Sequence, residues 1–150
     1  MSRRESERRL AMRLGPLARQ WRQVGDQVLA RLGVSNSTGW CLINLERLGD
    51  EARQADLARA LEVAEATLVR TLHQLEAVEL VARRPDPDDG RVNRIHLTDA
   101  GRALAGKIEH MLADARHELL SGISDADLEA TLRVCDALAD ALASRRGLGA

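Results

Sequence analysis

The chain has 150 residues, 45% of them hydrophobic, and 22 Lys and Arg stand against 23 Asp and Glu, a formal net charge of −1. That is one domain of ordinary size with enough apolar material for a real core. There is no long uninterrupted apolar run for a membrane helix and no apolar segment after the arginine-rich start to make a signal peptide, so a cytoplasmic protein without a membrane partner is expected.

With no Phe or Tyr and only Trp21 and Trp40 as aromatics, the core must come from Leu, Val, Ile and Ala, which suit helix packing. In the first stretch Leu10, Leu14, Leu17, Trp21, Val24 and Val28 alternate four and three residues apart, the spacing of a seam that packs along another helix. Gly15-Pro16 interrupts it and predicts a kink or a fresh start.

Residues 54–78, QADLARALEVAEATLVRTLHQLEAV, split into two short amphipathic pieces around Val63-Ala64-Glu65. Leu57, Ala58 and Leu61 form one apolar face; Leu68, Val69, Leu72 and Leu75 form the other. Two short helices joined by about three residues fit a helix-turn-helix, whose second member can enter a major groove about 12 Å wide. Its expected outward set is Glu65, Ala66, Thr67, Arg70, Thr71, His73 and Gln74, rich in groups that bond phosphates or base edges. Arg70, whose planar fork matches the O6 and N7 of guanine, is the expected base reader, and Thr67 near the helix start suits a phosphate. The alternative is an ordinary solvated helix face.

Residues 81–101, VARRPDPDDGRVNRIHLTDAG, read as a β-hairpin running into a helix. Short strand-like runs at 81–84 and 94–97 flank Pro85-Asp86-Pro87-Asp88-Asp89-Gly90, a segment dense in turn formers. Arg91 follows Gly90 at the tip, and Asp89 is close enough to orient its guanidinium. Arg84 and Arg94 complete the hairpin cations expected to meet DNA. Taken alone, the hairpin could equally be a solvated turn whose acids and arginines neutralise each other. Further on, Leu104, Ile108, Met111, Leu112, Ala115 and Leu119 make one helical stripe, and Leu128, Leu132, Cys135, Ala139 and Leu142 another. Ser121-Gly122 separates them, and Ser124 with Asp127 resembles a capping box. These long helices expose more apolar surface than a small head can cover, which dimerisation would bury.

The segments ADLARALEVAEATLVRTLHQLEAVELVARR and DPDDGRVNRIHLTDAG resemble the MarR family of winged helix-turn-helix transcriptional regulators, and TLVRTLHQLE is similar to its salicylate-responsive branch. The resemblance implies a mainly α fold with a small β-hairpin wing and long N- and C-terminal dimerisation helices. It further implies one domain over residues 1–150, with the DNA-binding core at 34–102 and the dimerisation helices at 5–33 and 103–146. It implies a homodimer on double-stranded DNA, wing arginines in minor grooves, and release by a small anionic aromatic ligand. By the same resemblance that ligand would sit near Trp21, Arg22, Trp40 and Ile43, with Arg22 or Arg13 meeting its carboxylate.

Two features depart from the pattern. Glu79 stands where similar proteins carry glycine in a left-handed conformation, so a different helix cap is expected. Residues 53–102 hold eight Arg against nine acids, so a DNA-binding head must segregate its charges by face. Elsewhere charge divides unevenly: residues 1–33 hold eight Arg against three acids, and residues 103–150 hold five cations against eight acids. The N-terminal arginines either reach DNA or complement the acidic C-terminal helices across the dimer; the latter is the expectation.

Cys41 and Cys135 lie on apolar helix faces and are expected to be buried spectators. His110 and His117 are seven apart, a poor spacing for one ion, so no metal and no cofactor is expected. The chain has no G-x-S-x-G and no phosphate-binding glycine loop, so an enzyme is not expected. The expected function is a sequence-specific homodimeric repressor released from a pseudo-palindromic operator by a small ligand. The alternatives are a constitutive or architectural DNA-binding regulator and, because of the neutral charge, an interaction protein that kept the fold.

Overall fold

Ser2 opens the first helix: its hydroxyl accepts the backbone N–H of Glu5 at 3.3 Å, and α1 then runs over Arg3–Arg31. The computed structural model describes residues 2–50 and 52–147. Of the kink or fresh start expected at Gly15-Pro16, the fresh start does not occur, because Pro16 lies inside α1. Proline lacks the N–H that would bond the carbonyl of Met12, but this whole part of α1 is exposed and water can take that carbonyl.

Helix α2, Asn36–Leu48, is capped by Ser35, whose hydroxyl accepts the Thr38 N–H. The apolar pattern had not delimited this helix, yet it supplies Cys41, Leu42, Ile43 and Leu45 to the core. It lies close against α1 because Gly25 has no side chain where a Cβ would overlap the Trp40 indole.

The helix-turn-helix is present as α3, Gln54–Leu61, and α4, Glu65–Ala77, with residues 62–64 between them. Leu57 and Ala58 of α3 are buried, as are Leu68, Thr71, Leu72 and Leu75 of α4. This corrects the expected inner face of α4. At about 100° per residue, Thr71 lies roughly 60° from Leu68 and Val69 roughly 100° away, so Thr71 turns inward and Val69 moves to the border. Both helices end in a left-handed residue, Glu62 with φ 55° and Glu79 with φ 56°. After α4 the N–H of Leu80 bonds the carbonyl of Leu75 at 2.9 Å, and that of Glu79 bonds Glu76 at 3.0 Å. These are the paired bonds of a Schellman motif, so Glu79 adopts the glycine-type cap and not a different one.

Strands β1, Val81–Pro85, and β2, Asn93–Leu97, pair antiparallel with Val81 opposite Leu97 and Pro85 opposite Asn93. The hairpin is rooted in the head, since Ala52 accepts the Ile95 N–H at 2.8 Å and Arg53 bridges to Arg94. Thr98 then joins three elements. Its hydroxyl donates to the Glu79 carbonyl at 2.6 Å, accepts the Gly101 N–H at 3.0 Å, and so caps helix α5, Asp99–Leu120. A side chain at Gly101 would collide with the Leu80 carbonyl, so glycine is what lets α5 start against the end of α4.

Helix α6, Asp125–Gly147, begins at the expected box: Ser124 Oγ accepts the Asp127 N–H and donates to its carboxylate at 2.6 Å. The chain divides within α5 into two compact units, one through Ala113 and one from Asp114 on. The first has a core centred on Leu42, Ile43, Leu57, Leu72, Ile95 and Ile108 but leaves Leu10, Leu14, Leu17 and Trp21 of α1 exposed. In the second, Leu132, Leu138 and Leu142 are exposed and no described α6 side chain is buried. Cys135 is likewise exposed, which corrects half of the buried-cysteine expectation. No helix among the described residues is long and apolar enough to cross a membrane.

Candidate nucleic-acid interface

Once the apolar side of α4 is packed, the opposite side is settled by the helical period. Glu65, Ala66, Thr67, Arg70, His73 and Gln74 are exposed, as expected, whereas Thr71 is not. Neither α3 nor α4 has a side-chain cap bond at its start, and within α4 the Thr67 N–H already donates to the Ala64 carbonyl at 3.0 Å.

The hairpin supplies the second part of the surface. Arg91 projects from the tip with its side chain 93% exposed, and Asp89 Oδ1 accepts both its backbone N–H at 3.1 Å and its Nε at 3.3 Å. The carboxylate therefore biases a long flexible cation toward one direction without hiding it. Arg84 is exposed on β1. Arg94, placed beside these two by sequence reasoning, is turned inward: its Nε bonds Asp86 Oδ2 at 3.0 Å and only 15% of its side chain is exposed. Burying Asp86 demands cationic partners, and Arg94 is one of them.

Asp86 is the residue sequence reasoning missed. It is charged, sits among turn formers and is fully buried as a side chain. Its Oδ1 accepts the N–H of Asp88 at 2.9 Å and of Asp89 at 3.2 Å, and Arg53 holds Oδ2 at 3.0 Å. The Asp88 N–H is foremost in holding the carboxyl below its ordinary range; burial opposes it, and the Asp89 N–H and Arg53 reinforce it. An Asp followed by two residues and another Asp after a proline is an Asx-turn signal, but nothing in the pattern pointed to Arg53, 33 positions earlier in the sequence.

These pairings also resolve the charge balance of the head. Asp86 joins Arg53 and Arg94, Glu76 joins Arg83 at 3.2 Å, and Asp56 joins Arg59 at 3.4 Å. Arg70 and Arg84 are exposed, and Arg91 stays 93% exposed beside Asp89, so net charge and surface charge differ.

Of the residues expected at a ligand site, two come together. Arg22 lies over the Trp40 ring at 5.0 Å, and Trp40 Nε1 donates to Asp26 Oδ1 at 2.8 Å. They line a crevice of about 140 Å³ with Asn36 and Ser37 of α2 and Thr67 and Thr71 of α4. The other three are elsewhere: Ile43 is sealed in the core, Trp21 is exposed on the α1 seam, and Arg13 lines a shallow hollow with Leu17 and Gln20. The reason is angular, since the Trp21 and Arg22 side chains leave α1 about 100° apart. Among the described residues no three or more His, Cys, Asp or Glu side chains gather as a metal site. Burial pushes the Cys41 thiol up to about 12, so it stays neutral.

Residues 34–92 match the model of the MarR family. Among solved structures, the chain is similar to the transcriptional regulator PA3341, with 30% identity, coverage of 90% of this chain and 98% of that one, and a TM-score of 0.82. It is also similar to S. aureus MepR in a complex with DNA, at 25% identity, 84% and 91% coverage, and a TM-score of 0.70. Apo wild-type MarR from E. coli shares the fold at 22% identity, with 83% and 96% coverage and a TM-score of 0.65.

Proposed function

The chain belongs to the MarR family of DNA-binding transcription regulators, and from that premise we propose that it works as a homodimeric repressor on a pseudo-palindromic operator. The observation that carries the reading is the pairing of an outward Arg91, oriented by Asp89, with an open α4 face bearing Arg70, Thr67, His73 and Gln74. In this arrangement α4 lies in a major groove and the hairpin tip reaches the adjacent minor groove, whose negative potential attracts arginine. Thr71 and Arg94 drop out of the contact set because Thr71 turns from the outer face of α4 toward the Arg22–Trp40 crevice and Arg94 is turned in to Asp86. The S. aureus MepR complex, whose partner is DNA, supports the same choice of partner.

The experiment is a titration of purified protein on promoter fragments at two salt concentrations. A specific site should bind at least about a thousandfold more tightly than unrelated DNA. Equal affinity for all fragments would favour an architectural role, and no binding at all an interaction protein.

Ligand release is the finer part of the proposal. An anionic single-ring compound would enter the Arg22–Trp40 crevice and, because Thr67 and Thr71 share its wall, press on α4 directly. It would act only by binding one spacing of the two heads better than the other. One observation favours the constitutive reading instead: about 140 Å³ is small against the roughly 300–1,000 Å³ of ordinary ligand clefts. Tryptophan fluorescence with salicylate-like acids, read beside operator binding, separates the two. A change in both signals supports release, and silence in both at millimolar acid supports constitutive binding.

A further inference from the structure

A two-stranded hairpin is marginal by itself in water, and its tip needs a tie to hold one direction. The backbone bonds from residues 52 and 53 reach β2 at Ile95 and Arg94, in the paired part of the hairpin, and do not extend into its turn. Asp86 sits at the start of that turn, and its four donors come from three places: the turn through the Asp88 and Asp89 N–H groups, β2 through Arg94, and the residue preceding α3 through Arg53. The next link is Asp89, whose carboxylate holds Arg91. One chain of short contacts thus runs from the start of the helix-turn-helix to the tip cation.

We propose that Asp86 is a positioning residue for DNA reading: tied to Arg53, it sets the direction in which the hairpin presents Arg91 to the minor groove. This rests on the DNA-binding reading above and deepens it. Two guanidiniums on one buried carboxylate are neutralised as well as held. Asp86 therefore withholds Arg53 and Arg94 from phosphates while aiming Arg91. A residue that served only folding would have no reason to alter the ratio of specific to non-specific affinity. Asp86 should alter it in both terms at once.

Asp86→Asn separates these roles. The amide oxygen can still accept the turn N–H groups, but its NH₂ faces guanidinium donors, so the ties to Arg53 and Arg94 are lost. Loss of charge-assisted bonds behind a groove contact should lower affinity for the preferred site by about ten- to a hundredfold. Binding to unrelated DNA should hold or tighten with a steeper salt slope, because Arg53, already half exposed, loses its carboxylate partner. Arg53→Ala should reproduce the loss of specific affinity and Arg53→Lys should lie nearer the parent.

The test uses the full chain and a duplex selected by the parent from random-sequence DNA. It compares the parent, Asp86→Asn, Arg53→Ala and the double variant in binding at two salts and in minor-groove footprints. The expected result is loss of protection at the minor-groove flanks, retained protection in the major groove, and a double variant no worse than Asp86→Asn. A folded Asp86→Asn protein with the parent's footprint and specificity ratio would overturn the proposal, as would additive losses in the double variant. Should Asp86→Asn fail to fold, Arg53→Ala alone decides, since its side chain is 48% exposed. A parent that selects no sequence overturns the DNA reading itself. That failure is seen in the parent, and failure of the positioning role is seen only in the variants.

Discussion

Arg70 and Arg91 are both exposed arginines, but their settings differ enough to separate their effects. Arg91→Ala should weaken every site and lower the salt slope by about one charge, whereas Arg70→Ala should cost about 1–3 kcal/mol mainly on the preferred site. Binding isotherms on selected and unrelated duplexes distinguish the two. The cysteines separate as sharply. Cys41 is buried with its thiol pushed up to about 12, and Cys135 is exposed on α6 of the single chain, so iodoacetamide followed by mass spectrometry should modify Cys41 only after unfolding and Cys135 already in the folded, dissociated chain. Asp86 adds a pH dependence of known sign. Its native carboxyl titrates below the ordinary value, so its contribution is complete above about pH 4 and is lost as pH falls through the lower native value. Amide chemical shifts of Asp88 and Asp89 should therefore stay constant near neutrality and move only in stronger acid; Asp86→Asn should lack that step.

At the scale of elements, the joint between α4, the hairpin and α5 is held by short-range contacts at Glu79, Thr98 and Gly101. Glu79 keeps a left-handed backbone that an L side chain resists, and its own side chain is exposed. Glu79→Gly should therefore stabilise the fold by about 1 kcal/mol, seen as a higher midpoint in urea with unchanged slope. Gly101→Ala should do the opposite by about 1–3 kcal/mol or more, since the added carbon meets the Leu80 backbone and not a flexible side chain. If both variants melted like the parent, the packed joint described here would be wrong. The same joint links α5 to the end of α4, so a change in α5 has a direct backbone route to the proposed reading surface.

For the molecule as a whole, the telling feature is what the single chain leaves uncovered. Leu17 is 59% exposed on α1 and Leu132 56% exposed on α6. In the proposed homodimer these stripes are buried. Leu17→Asp or Leu132→Asp would place an unpaired carboxylate in that interface, while costing the isolated chain little at positions already facing water. Each variant should thus sediment as a folded monomer with parental helix content. A parent that is itself monomeric at micromolar concentration would remove the dimer and with it the paired half-sites about 10–10.5 base pairs apart.

The helix-turn-helix, the hairpin, the Ser124 box and the exposed set on α4 were readable in the sequence because each follows from local rules: a period of 3.6, turn formers in a row, a cap three residues from its partner. Even there, Thr71 and Val69 changed places, because the pattern identifies apolar residues and the angle of packing decides which border position turns in. Glu79 adopting a glycine conformation could not be read, since the cost to its backbone is outweighed only when Thr98 and Leu80 arrive from outside the helix. Nor could the separation of Trp21 from Trp40, or the capture of Asp86 by Arg53 and Arg94. Those depend on which surfaces meet across long stretches of chain. Local propensity and spacing determined the elements and the residues available for recognition; tertiary packing decided which cations are buried as partners and which remain to meet DNA, because burial of one carboxylate sets the direction of every arginine around it.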